Sequence, residues 1–184
     1  MIIVSNYRRW RVEGGTYAFT LATFGRRPIL TSPEGLAALR HGCRVVRKRW
    51  PFQVLAVVVL PDHLHAMWEL PRGDANYSLR WKRLKEEFTR KYLADGGRER
   101  SRSDSRTAQG ERAVWQRRFW EHLVRDEDDY QNCLDYIHYN PVKHGVSDRP
   151  MSYRWSSFRQ FVKHGEYERD WGRAPQHETN SFAE

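Results

Sequence analysis

Two short apolar runs divided by a two-residue break constrain the fold most. Residues 53–60 read QVLAVVVL and residues 63–70 read HLHAMWEL, with only Pro61 and Asp62 between them. Each run has strand length and is rich in β-branched or bulky apolar residues. A break this short leaves no room for a crossover connection, so the two strands must be antiparallel neighbours. The first run carries no polar residue after Gln53, which predicts a central strand buried on both faces.

The remaining elements follow from periodicity and punctuation. Gly14-Gly15 is a turn signal, and residues 16–24 (TYAFTLATF) then alternate as a strand. Ser32-Pro33 opens a helix, with Ser as N-cap and Pro at the first helical position. Leu36, Leu39, Cys43, Val46 and Trp50 recur at helical spacing until Pro51. Tyr77, Trp81, Leu84, Phe88 and Tyr92 mark a second helix. Residues 96–112 carry five Arg against three acidic residues and no apolar residue beyond Ala108, which predicts a mobile loop. A fourth strand is expected at the end of residues 114–124. An acidic start at Asp126 then complements the dipole of a further helix, and Pro141 should kink or end it. A short helical piece is expected around residues 158–162, and an irregular tail from about residue 165. The order β-α-β-β-α-β-α predicts one α+β domain over residues 1–184, with a ferredoxin-like antiparallel sheet and packed helices.

Charge narrows the partners. The chain has 184 residues and 32 Lys+Arg against 23 Asp+Glu, a net charge of +9. A basic domain of this size attracts polyanions, of which nucleic acid is the commonest. Cys43 and Cys133 fall in apolar helical patterns and read as reduced core thiols. No run reaches the length of a membrane span, and the N-terminal apolar run is too short for a signal peptide. A cytoplasmic, nucleoid-associated protein is the expectation.

Chemistry concentrates in two places. His63 and His65 are two apart on a strand, so both imidazoles leave the same face. Convergent imidazoles begin a divalent metal site. Tyr136 and Asn140 are four apart on a helix and share a face. The Asn140 amide oxygen suits Mg²⁺ or Mn²⁺ as a third ligand, and Tyr136 would then lie beside a metal-bound phosphate. The competing reading makes Tyr136 a core aromatic and Asn140 a helix-ending residue. Arg8, Arg9, Arg80, Arg83, Lys143 and Arg154 are candidates for contacts to a nucleic-acid backbone, chosen from charge and position.

The sequence resembles the REP-associated tyrosine transposases, a branch of the single-tyrosine HUH transposases. The resemblance rests on Leu60-Pro61-Asp62-His63-Leu64-His65 with Trp68 and Leu70-Pro71 following. It rests equally on Trp115-Gln116 with Arg118-Phe119-Trp120-Glu121-His122, and on Asp135-Tyr136-Ile137 with Asn140-Pro141-Val142-Lys143-His144-Gly145. Tyr7-Arg8-Arg9 with Gly14-Gly15-Thr16, and Trp155-Ser156-Ser157-Phe158, extend it over nearly the whole chain. It implies the HUH endonuclease fold, a catalytic pair at His63 and His65, a third ligand at Asn140 and the nucleophile at Tyr136, not Tyr139. It implies metal-dependent nicking and strand transfer through a 5′-phosphotyrosine on single-stranded or hairpin DNA of repetitive extragenic palindromes, by a monomer or homodimer. The 96–112 segment is longer than the family's pattern. Two alternatives stay open: a non-catalytic nucleic-acid-binding module on the same scaffold, and a metal-dependent hydrolase that uses water as nucleophile.

Overall fold

Strand alternation sorts the side chains of the central sheet into two cores, and a computed structural model describes how, for residues 10–173. Its strands are β1 (Thr16–Ala22), β2 (Gln53–Val59), β3 (His63–Glu69) and β4 (Trp120–Leu123). The order is β2-β3-β1-β4, and every neighbouring pair is antiparallel. This is the expected ferredoxin-like arrangement.

One face of the sheet presents Tyr17, Phe19, Leu21, Leu64, Ala66 and Trp68 to the helices α1 (Pro33–Arg49) and α2 (Tyr77–Ala94). Helix α1 starts where the sequence places it, with Ser32 Oγ accepting from the Gly35 amide at 3.0 Å. The α2 stripe is fully used, since Tyr77, Trp81, Leu84, Phe88 and Tyr92 are all buried. Gly42 lets the two helices meet closely, because a Cβ there would stand 3.2 Å from the Leu84 carbonyl oxygen. On the opposite face, Ala56, Val58 and Met67 meet Leu134 and Ile137 of α4 (Glu127–Lys143), together with Phe161 of α5 (Phe158–Lys163). The two helices of the hairpin layer and the helix carrying Tyr136 therefore lie on opposite sides of the sheet.

Three expectations need correction. Strand β2 is an edge strand, not a central one; β3 is central and buried at every residue except Glu69. The apolar character of β2 has another cause. Its outer edge is covered by the chain near Trp155, through Val59 N–H to Trp155 O and Ser157 N–H to Val57 O, both at 2.8 Å. Helix α4 also runs through Pro141 to Lys143. Pro141 lies in the last turn, where the missing N–H costs one bond and the ladder resumes with His144 N–H to Asn140 O at 3.0 Å.

The third correction concerns residues 96–112, which are not structureless. They contain α3 (Asp104–Ala108) and a buried anchor that is charged instead of apolar. The Arg106 guanidinium lies 4.2 Å from the Phe24 ring centroid and donates to the Arg112 and Trp115 carbonyls. Glu99 gathers Arg102, Arg112 and the Ala113 amide. Those donors outweigh the opposing effect of burial and hold its carboxyl down at about 2. No helix among the described residues is long and apolar enough to cross a membrane.

Candidate active site

The antiparallel register assembles the site. His65 lies opposite Thr20 on one side and Val58 on the other, and Thr20 lies opposite Trp120. Trp120, Thr20, His65 and Val58 thus form one row across the sheet on the α4 face. His63, two residues before His65, sits one step along the same face at the end of β3, paired with Ala22. The two imidazole centroids are 5.0 Å apart.

Each histidine is held by its Nδ1. His63 Nδ1–H donates to Asp62 Oδ1 at 2.7 Å, and Asp62 is itself paired with Arg26 at 2.7 Å. His65 Nδ1 shares a hydrogen bond of 2.8 Å with Thr20 Oγ1. Such partners fix the ring planes, and the Asp62 carboxylate fixes the tautomer of His63; in both rings Nε2 is left to act as ligand. His65 Nε2 and Asn140 Oδ1 are both buried and make no hydrogen bond. Asn140 stands close enough to favour a protonated His65, although without hydrogen-bond geometry. Burial dominates, with the positive fields of His63 and His144 added, and the His65 pKa falls to about 3. The imidazole is therefore neutral at ordinary pH, the form that binds metal. Two orphaned buried acceptors and a second, anchored imidazole fit a hard divalent cation.

Tyr136 stands over this group. Its ring centroid is 5.2 Å from that of His65, while the side chain remains 46% exposed. Lys143 Nζ lies 4.9 Å from the same ring centroid. Asn140, one turn after Tyr136, is fully buried and donates from its amide to the Tyr136 carbonyl at 3.4 Å. Tyr139 points elsewhere, to Trp171 at 6.2 Å. Neither Asp135 nor His138, the titratable residues nearest Tyr136 in sequence, is free to act as its base. Asp135 accepts from Tyr167 Oη and Gln131. His138 is buried, and its Nε2–H donates to Ser157 Oγ at 2.9 Å.

Two residues join the site without a role assigned from sequence. His144 caps α4, with its ring 4.8 Å from that of His63. Burial, then the neighbouring His63, Arg26 and Lys143, push its pKa down. Its place in the motif after Lys143 is the only hint the sequence offers. Thr20 gives no hint, because its role depends on a register that only the folded sheet defines.

The proposed DNA-contact residues divide. Lys143 belongs to the site. Arg80 does not: its side chain is 1% exposed and donates to Pro51 O, Asn76 O and Asp74. It is a structural cation whose donors are spent. Arg83 lies on α2, across the sheet from the histidines, and is paired with Glu86 at 2.8 Å. Arg154 stacks on Trp155 at 4.3 Å, beside the covered edge of β2. Arg8 and Arg9 lie outside the described residues.

A second group of metal-binding types, His122, Asp129 and Cys133, has its ligand atoms within 4.8 Å of one another. Here His122 Nε2 is already 2.8 Å from both Asp129 oxygens. Burial pushes the Cys133 thiol up to about 11, aided by Asp129. The trio reads as a hydrogen-bonded pair beside a protonated thiol, and the orphaned atoms at His65 and Asn140 make the better cation site.

Comparison with known proteins places the chain in a family. No family model matches the chain. The REP-associated tyrosine transposase of Escherichia coli K12 is 38% identical over 168 residues, covering 91% of each chain. A Haemophilus influenzae protein given the same family name is 40% identical over 173 residues, covering 94% of this chain and 96% of its own. The chain belongs to the REP-associated tyrosine transposases. A solved structure of a REP-associated tyrosine transposase bound to a REP hairpin superimposes on this transposase with a TM-score of 0.74. It has 35% identity and covers 98% of this chain and 96% of that one.

Proposed function

We propose that this transposase nicks and rejoins single-stranded DNA at REP-type hairpins through a covalent 5′-phosphotyrosine on Tyr136. The observation that carries the reading is the Tyr136 ring standing 5.2 Å from His65, above two buried acceptors without partners. A relative of 35% identity and near-complete overlap is bound to a REP hairpin, which supports hairpin DNA as the partner here.

His63 Nε2, His65 Nε2 and Asn140 Oδ1 would hold Mg²⁺ or Mn²⁺. The bound ion would neutralise charge on the scissile phosphate. The protein's own residues do the rest. Asp62 keeps His63 in the ligand tautomer, and Thr20, accepting from Nδ1–H, would keep His65 in the same one. Lys143 offers a cation where a phosphate would approach Tyr136. The Tyr136 oxygen attacks phosphorus and loses its proton, which its exposure allows water to accept. The P–O3′ bond breaks, and the leaving oxygen takes up a proton as a free 3′-hydroxyl. Attack by another 3′-hydroxyl on the phosphotyrosine reverses the step and joins strands, so no nucleotide hydrolysis is needed. Nucleophile and ligands come from one chain, so a monomer suffices for cleavage.

The test is incubation of labelled hairpin DNA with Mn²⁺ and a denaturing gel. A covalent protein–DNA adduct is expected from the wild type and none from Tyr136→Phe, which should still bind the hairpin within a few-fold. Cleavage without an adduct would favour the hydrolase, and binding without cleavage the non-catalytic module.

A further inference from the structure

Beyond the row of site residues, the sheet and α4 enclose an open pocket of about 580 Å³. Thr20, His65, Trp120, His122, Asn132 and Tyr136 line it. That volume falls in the range of about 300–1,000 Å³ typical of small-molecule sites. We infer that this pocket takes one unpaired nucleobase next to the scissile phosphate, with Trp120 as its stacking platform. The inference rests on the strand-cleavage reading and adds to it a residue that selects the substrate's conformation.

Trp120 is the first observation. It sits on the edge strand β4 and is 52% exposed. A tryptophan left half in water on a short edge strand forgoes burial that the fold could have used. Its ring is not loose, however. It lies parallel to the His122 ring, with 3° between planes and 5.8 Å between centroids. His122 is fixed in turn by both oxygens of Asp129, in the first turn of α4. The platform is built before any ligand arrives, which lowers the ordering cost of binding.

Charge then separates the two ends of the site. Lys143, His144 and Arg26 gather at the His63 end, where a backbone phosphate would be attracted. Among the described residues no Lys or Arg lines the pocket end, and the Asp129 carboxylate stands against His122 there. A phosphate gains no cation at that end, whereas an aromatic base gains a ring to stack on. Tyr136 stands between the ends, so a strand with its phosphate beside Tyr136 would place an adjoining base in the pocket. Asn132, one turn before Tyr136 on α4, supplies an amide at the rim for a base edge.

The experiment uses the full chain carrying Tyr136→Phe, without divalent metal, so that binding is measured apart from cleavage. Labelled hairpin oligonucleotides carry a single abasic site at each flanking nucleotide in turn. One position should weaken binding by roughly 5- to 150-fold, the range for one base–aromatic stack. Adding Trp120→Ala should cost a similar factor on intact DNA and erase the penalty of that abasic site, and Trp120→Phe should restore part of it. Independent, multiplying losses from Trp120→Ala and the abasic site would overturn the proposal, as would a flank with no sensitive position. Should Trp120→Ala fail to fold, 5-iodouracil photocrosslinking on Tyr136→Phe decides. A crosslink at Trp120 is expected, and crosslinks only outside the pocket overturn it. Failure of the cleavage reading has a different signature, the absence of a covalent adduct in the wild type.

Discussion

Thr20→Val is the sharpest probe of how the site is held. Valine matches threonine in shape and keeps the β-branched character of β1. The change therefore removes little except the oxygen 2.8 Å from His65 Nδ1. The fold should lose about 1 kcal/mol, the worth of one ordinary hydrogen bond. The metal site should lose more. With its Nδ1 partner gone, the His65 ring is free to turn its Nε2 away from Asn140 Oδ1, and removal of such a partner costs about 10- to 100-fold in metal affinity. That corresponds to roughly 1.4–2.7 kcal/mol. Calorimetric titration with MnCl₂ on the metal-free protein measures it, with Thr20→Ser as the control that keeps the oxygen. Mn²⁺ affinity in Thr20→Val equal to wild type would refute the reasoning. Equal weakening in Val and Ser would assign the effect to packing.

Other expectations follow from the same structure. His63→Ala and His65→Ala should each abolish cleavage and weaken Mn²⁺ binding in calorimetry, while Asn140→Ala should act more mildly, since water can replace an amide oxygen. Arg80→Met should cost about 3 kcal/mol, because it strands the Pro51 and Asn76 carbonyls and leaves Asp74 unpaired. A melting temperature lowered by roughly 10 °C is the readout, with hairpin affinity unchanged below the transition. Arg106→Ala should destabilise by about 2 kcal/mol through two unpaired carbonyls and the exposed Phe24 face. An unchanged melting curve would show that residues 96–112 are a tolerated insertion.

Much of this was legible from spacing. The hairpin of β2 and β3, the Ser32 cap, the α2 stripe and the shared face of His63 and His65 all follow from local periodicity. Tyr136 and Asn140 meet the histidines because α4 packs on the face from which both imidazoles project. Features that depend on long-range pairing were not legible. The role of Thr20 exists only once β1 is in register with β3. The edge position of β2 was hidden because its outer side is covered by residues about a hundred positions later. Arg106 was hidden because its anchor is a guanidinium over an aromatic ring, which hydropathy scores as exposed. Arg80 left a signal that charge obscured. It falls three residues after Tyr77 and four before Leu84, on the buried side of α2.

The covering of β2 by residues 155–157 has a cost during synthesis. The strand QVLAVVV, interrupted only by an irregularity between Val54 and Ala56, is an apolar template of the kind that pairs readily with other chains. A ribosome releases it about a hundred residues before its cover. Throughout that interval the growing chain carries an unpaired sticky edge, and aggregation competes with completion. A stop codon or proteolytic nick shortly after His144 would leave every residue of the candidate site present, yet return that edge to the solvent. Such a fragment should accumulate in inclusion bodies, so residues 155–157 govern yield although they stand outside the candidate site.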